Sequence, residues 1–253
     1  MSHELIRINK LVAMAGLCSR RDADKLIIER KISVDGIIVC DLGAKFPATS
    51  KIKIINTGSD DNVSSVDVSL KETKVWIYNK PCGLVVSHRD ELGRKTIFQE
   101  IRKHIKERVI SVGRLDMQSQ GLMILTNDGN LAHEIESSKY DRVYKVKVFG
   151  QMNKDLVMQK TRSTIVIEGI KYNIKILDIQ HVSARQSWVK CLLNEGKNRE
   201  IRRIFSHLGF VVSKLIRIKY GPYDLCDLEP GGVRLEKIIK TSKPIIRHEL
   251  SFC

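Results

Sequence analysis

The chain has 253 residues, 42% of them hydrophobic, enough for one large or two modest domains with a real core. Its 44 Lys and Arg stand against 29 Asp and Glu, a formal net charge of +15 that points to a polyanionic partner, because neutralising phosphates releases condensed counterions. No run of about 18 apolar residues occurs to suggest a membrane helix, and "MSHELIRINK" has no apolar stretch of the kind that opens a secretory signal, so a cytoplasmic protein is expected.

The first 50 residues read as a small unit. "IRINKLVAMAGLCS" puts Ile8, Leu11, Val12 and Ala15 on one helical face and stops at Gly16. Ser19 then caps a second helix, "RRDADKLIIER", with Ala23, Leu26 and Ile27 inward. In "KISVDGIIVCDLG" the Asp35-Gly36 pair between β-branched runs predicts a hairpin. Basic residues gather at one end: Ser19, Arg20 and Arg21 at a helix start, where free backbone N–H groups favour phosphate, flanked by Arg7, Lys10 and Lys31. Taken singly, each also fits a solvated helix face. Taken together, the helix, the S-R-R start and the V-D-G turn resemble the small RNA-binding domain named after ribosomal protein S4, over roughly residues 5–55. "NTGSDDNVSSVDVS", rich in Ser, Asp, Asn and Gly, reads as a linker over 56–70.

From residue 71 to 253 the pattern is mixed. "KVWIYN", "VISVG", "LMILTN", "VYKVKVFG", "STIVIEGIKYNIKILDI", "SWVKCLL" and "VVSKLIRIKYG" read as strands. "TIFQEIRKHIKE", "DGNLAHEIESSK", "NKDLVMQKT" and "NREIRRIFSHLG" read as helices. Short spacings between strands favour antiparallel pairing over βαβ winding, so an α+β domain around a largely antiparallel mixed sheet is expected.

One stretch carries chemistry: "GRLDMQSQGLMILTNDG", Gly113 to Gly129. Asp116 sits in a polar loop beside Arg114 and leads into an apolar strand. A lone turn aspartate bonded to its own backbone would account for a bare GRLD. Asp128 does not complete a pair of carboxylates: an intervening strand at roughly 3.3 Å per residue sets it more than about 10 Å away, and it reads as the cap of the next helix. The whole stretch resembles the signature G-R-L-D-x-x-T-x-G-L-L-L-L-T-N-D-G of the RsuA/RluB-type pseudouridine synthases, with Ser119 where that family has Thr. Three further segments fall in the family's order. They are "YNKPCGLVVSHRDELGRKTIF", "RVYKVKVFG" and "NEGKNREIRRIFSHLGFVVSKLIRIKYGP".

The resemblance implies an RNA-modifying enzyme that turns uridine into pseudouridine without any cofactor. It implies Asp116 as nucleophile or base, Tyr144 stacking on the target base, and Arg202 pairing with Asp116 to keep it ionised. Arg114, Lys197, Arg199 and Arg203 would meet substrate, and Leu215 or Ile216 would form its apolar wall. His88, in "HRDELGRK", reads as a surface residue of an RNA-facing loop rather than a base. The six cysteines include no CxxC pair and the seven histidines no HxxxH or HxH cluster, so no metal site or disulfide framework is expected. "EGKNREIRRIF" followed by "LIRIKYGP" resembles the RluB branch, which implies 23S ribosomal RNA as partner, and a monomer without membrane association is expected. The alternatives are small-subunit ribosomal RNA or transfer RNA as substrate, a non-catalytic ribosome-assembly factor, or a DNA-binding regulator using the N-terminal helices.

Overall fold

The computed structural model describes residues 5–55, 72–150, 152–183 and 185–239. The linker expected over 56–70 lies outside them. The chain divides into two compact units, the smaller over residues up to Thr73 with 107–109 and 127–129, the larger over the rest.

In the smaller unit, β1 (Leu5–Arg7) leads into α1 (Ile8–Met14) and α2 (Arg20–Ile28), followed by β2 (Ile32–Val34), β3 (Ile37–Ile38), β4 (Lys45–Pro47) and β5 (Ile52–Ile54). Ile8, Leu11, Val12, Ala23, Ile27, Ile32 and Ile52 pack into one buried cluster. That cluster is the helical face expected from the 3.6-residue spacing, closed by the hairpin. Asp35 and Gly36 both take positive φ (50° and 88°) between β2 and β3, the backbone that a two-residue hairpin turn demands. Ser19 caps α2, its hydroxyl accepting from the Asp22 amide at 3.1 Å. The pairing of β1 with β4 joins residues some forty positions apart, and no local pattern announces it.

The larger unit contains β6 (Val75–Lys80), α3 (Ile97–Ile101), β7 (Ile110–Val112), β8 (Gln120–Thr126), α4 (Gly129–Ser137), β9 (Arg142–Phe149), α5 (Lys154–Lys160), β10 (Ile165–Ile167), β11 (Ile170–Tyr172), β12 (Lys175–Ser183), β13 (Gln186–Leu193), α6 (Glu200–His207), β14 (Val211–Tyr220), β15 (Tyr223–Asp224) and β16 (Val233–Glu236). Among the described residues its main sheet has nine strands, ordered β12-β13-β9-β14-β8-β6-β16, with β15 on β14 and β7 on β8. Every pairing is antiparallel except β14 with β8, the expected mixed sheet. An S4-like unit and a mixed α/β unit around a largely antiparallel sheet make the α+β architecture read from the sequence.

The parallel contact depends on Gly121. A Cβ there would lie 2.2 Å from the Arg217 carbonyl oxygen and 2.8 Å from its amide nitrogen, so only glycine lets β8 and β14 meet. The helix expected over "TIFQEIRKHIKE" is shorter, ending at Ile101. Lys103 and His104 donate to Glu100 and Ile101 three residues back, and this tightened turn still buries Ile105.

Candidate active site

The Asp116 loop is held from beneath by Lys80. Lys80 ends the wholly buried strand β6 and is itself 0% exposed. Its ammonium donates to the carbonyls of Pro81 (3.1 Å), Asp116 (3.2 Å), Met117 (3.2 Å) and Ser119 (2.8 Å). A buried ammonium is tolerable only with such a cage. Burial lowers its pKa to about 8, against the pull of Cys82 and Asp116. The amide of Gly83 donates to the Met117 carbonyl at 2.8 Å and the Ser119 amide to Asp116 at 3.0 Å, so the loop is pinned by its backbone and its side chains are left for other work.

Above this loop lies a cleft of about 480 Å³, whose lining includes Arg94, Arg114, Asp116, Arg142, Tyr144, Lys197, Arg199, Leu215, Arg217 and Tyr220. Arginine outweighs carboxylate here, which suits a polyanion. Tyr144, on β9, is 7% exposed and belongs to the buried cluster of Val146, Val189, Ile204 and Leu215. Among the described residues nothing hydrogen-bonds its hydroxyl.

Alternation along β14 decides between the two expected wall residues. Leu215 lines the cleft, whereas Ile216 points to the opposite face and packs with the cluster of Leu122, Ile124 and Ile135. The ion pair expected between Arg202 and Asp116 falls instead to Arg199, whose guanidinium lies 3.5 Å from the carboxylate. The reason is backbone: Arg199 sits just before α6 with left-handed φ 51° and ψ 29°, and α6 begins only at Glu200. Arg202, within α6, donates to the carbonyls of Val212 (3.1 Å) and Gln118 (3.4 Å), tying the helix to the far end of the Asp116 loop. Burial and the neighbouring Arg199 lower its pKa, and Asp116 opposes them.

The other expected substrate contacts divide. Arg114 is exposed at the cleft, and Lys197 lines it while pairing with Glu195 and lying 5.4 Å from the Tyr172 ring centroid. Arg203 is not among the lining residues and pairs with Glu168 at 3.6 Å. His88 is exposed and stacks on Phe98 at 3.6 Å, while Asp90 and Arg94 brace its loop at 2.6 Å. In the smaller unit Arg7, Arg20 and Arg21 are exposed, Lys10 is half-buried, and Lys31 pairs with Glu29 at 2.9 Å. The Ser19 hydroxyl is committed to Asp22, accepting from its amide and donating to its carboxylate at 2.6 Å.

Sequence reasoning missed three buried cations. Besides Lys80, Arg142 and Arg217 enclose the Tyr220 ring at 4.5 and 5.0 Å. Arg142 donates to the Tyr220 hydroxyl (2.9 Å) and Arg217 to the Leu122 carbonyl (2.8 Å). Their only signal is position: Arg142 opens β9 in "RVYKVKV", and Arg217 interrupts the apolar run of β14 in "LIRIKYG". Glu200, 4% exposed, also lines the cleft. It accepts from the Lys197 amide at 3.1 Å, and burial raises its pKa. No cluster of metal-ligating side chains occurs among the described residues.

The profile of the RNA pseudouridylate synthase family matches residues 74–207, and that of the S4 domain residues 6–46. A Rickettsia bellii protein named as an RNA pseudouridine synthase is 44% identical over 90% of this chain and 95% of its own length. The ribosomal large subunit pseudouridine synthase B of Bacillus subtilis is 34% identical over 90% of this chain and 91% of its own. A solved pseudouridylate synthase shares the fold, with TM-score 0.59 over 92% of this chain and 96% of that one at 23% identity. The Asp116 cleft lies within a chain that belongs to the RNA pseudouridine synthase family, an isomerase with an S4 domain at its N-terminal end.

Proposed function

We propose that the protein isomerises specific uridines of large-subunit (23S) ribosomal RNA to pseudouridine, as an RluB-type enzyme. The observation that carries the reaction is Asp116, a carboxylate paired with Arg199 in an arginine-lined cleft beside Tyr144 and Leu215. The similarity to the B. subtilis large-subunit enzyme supports the substrate.

In the reaction the bond from C1′ of the ribose to N1 of uracil breaks. The base turns, C1′ bonds to C5, the C5 proton leaves and N1 takes one up. Mass is unchanged and no electrons enter or leave. Asp116 serves either as nucleophile on the sugar or as base at the ribose. One carboxylate suffices, unlike the flanking pair of an ordinary glycosidase, and Asp128 is not among the cleft residues. Tyr144 stacks on the base and relays its proton, and Leu215 gives the ring an apolar wall. Arg202 positions the Asp116 loop through Gln118. The uridine must leave its stack to reach the cleft, which costs a few kcal/mol and favours loops or bulges.

The basic residues of the smaller unit, Arg7, Lys10, Arg20 and Arg21, hold RNA away from the reacting base, and the enzyme works as a cytoplasmic monomer. The test is purified protein on separate large-subunit and small-subunit transcripts, with pseudouridine mapped by chemical modification and primer extension. Product confined to the small-subunit transcript overturns the substrate and spares the reaction. Product in neither, nor in a partly assembled large-subunit particle, overturns both.

A further inference from the structure

Strands β12-β13-β9-β14 of the larger unit turn one face inward, onto the buried cluster of Val146, Val148, Val189 and Leu215. Residues between these on β9, Lys145, Lys147 and Phe149, project from the other face. Cross-strand partners share a face. Lys147 pairs in register with Trp188 on β13 and Lys214 on β14, and Phe149 with Val211 on β14. Phe149 is 51% exposed and Val211 67%, although they stand side by side. The Lys147 ammonium lies 5.9 Å from the Trp188 ring centroid. Among the described residues, Lys145, Lys147 and Lys214 have no carboxylate partner.

A merely solvated sheet face has no use for neighbouring exposed Phe and Val beside a half-buried indole. A protein partner with an apolar surface would strand three ammonium groups at its contact. A single strand of RNA satisfies both features, since phosphates meet the lysines and bases stack on Trp188 and Phe149. At roughly 3.3 Å per residue, Lys145 to Phe149 spans about 13 Å, room for two or three unpaired nucleotides.

The face is distinct from the cleft. Tyr144 and Leu215 line the cleft, and their chain neighbours Lys145 and Lys214 point the opposite way. We infer that this face is a second RNA-binding surface of the larger unit, which holds unpaired nucleotides of the substrate RNA outside the reacting segment. The inference rests on the reading of the protein as an enzyme of large RNA.

Two measurements on the full chain test it. The first is binding of a ribosomal RNA transcript by the K145A/K147A/K214A variant, whose changes are confined to this face. Affinity should fall about tenfold, and the slope of log affinity against log salt should flatten by about 2, at about 0.7 per lost single-strand phosphate contact. The second uses the fact that the chain has two tryptophans. Trp76 is 8% exposed, so W76F leaves Trp188 as sole reporter. A twelve-nucleotide oligouridine should quench its emission, and the added lysine substitutions should abolish the quenching. Unchanged affinity and slope, or emission that oligouridine leaves unaltered, overturns the inference. So does sedimentation as a dimer that Phe149→Ala dissociates, which would make the face an interface between copies. Because both readouts are of binding, loss of the isomerase reading would show separately, as an absence of pseudouridine.

Discussion

Arg199 reaches the Asp116 carboxylate at 3.5 Å from the residue before α6, while Arg202, three positions on, grips the backbone of the same loop at Gln118. The two arginines therefore do different things. Asp116 and Arg199 side chains are 35% and 49% exposed, so their pair adds at most about 1 kcal/mol to stability. In the proposed reaction its part is to aim the carboxylate. Arg199→Ala should leave the melting temperature within about 2 °C and lower kcat by about 10- to 100-fold. Arg202→Ala removes two side-chain hydrogen bonds to backbone carbonyls and should lower both stability, by about 1–2 kcal/mol, and kcat. Thermal melts with single-turnover kinetics separate them, and equal melting losses in the two variants would contradict the division.

Asp116→Asn keeps the shape of the side chain and removes its charge and basicity. Isomerisation should fall by at least about 10⁴-fold, close to 5.5 kcal/mol in the barrier, with RNA affinity within about threefold of the parent. The check is pseudouridine formation at saturating enzyme together with a filter-binding titration. Residual activity within tenfold of the parent would remove Asp116 from the reaction.

Much of this was readable beforehand, for definite reasons. The Ser19 cap, the Asp35-Gly36 turn and the apolar alternation of β9 and β13 are local, and local rules hold where burial agrees with them. What escaped is non-local. Leu215 and Ile216 are adjacent, and only the register of β14 against β9 says which of them faces the cleft. The choice of Arg199 over Arg202 hangs on one left-handed backbone angle. Lys80 reads as the polar end of a strand, and nothing in "YNKPCG" reveals four carbonyls converging on it.

Gly121 is a test of the sheet rather than of the chemistry. Alanine there meets the Arg217 backbone at 2.2 Å with φ at 102°, so β8 and β14 must part. Gly121→Ala should cost about 3 kcal/mol or more, by clash and backbone strain together. Denaturant unfolding monitors it, and a loss under about 1 kcal/mol would show that the two strands tolerate separation.

In the smaller unit, exposed Arg20 and Arg21 open α2. The R20E/R21E variant should weaken binding to a structured ribosomal RNA by about tenfold or more and flatten the salt slope by about 1.8, at about 0.9 per phosphate. Activity on a short stem-loop at saturating enzyme should persist. An unchanged slope would mean that these arginines touch no phosphate.

Lys80 carries a pH signature. Its folded pKa is about 8 against the usual 10.5. Between those values the unfolded chain holds a proton that the folded chain has released, so this group makes stability rise with pH across the window. Below pH 8 both forms are charged, and the full penalty, about 3 kcal/mol, is constant. Activity should move the other way. The neutral amine has two N–H donors for four carbonyls, so the Asp116 loop loosens and kcat falls with a midpoint near pH 8. Rising stability beside falling activity distinguishes this from general alkaline unfolding. Lys80→Met should lower kcat at every pH, abolish the midpoint near 8 and remove the group's upward slope of stability. The measurements are kcat and urea unfolding from pH 6.5 to 10. A parental kcat that stays level through pH 9.5 would show that the loop does not depend on the Lys80 proton.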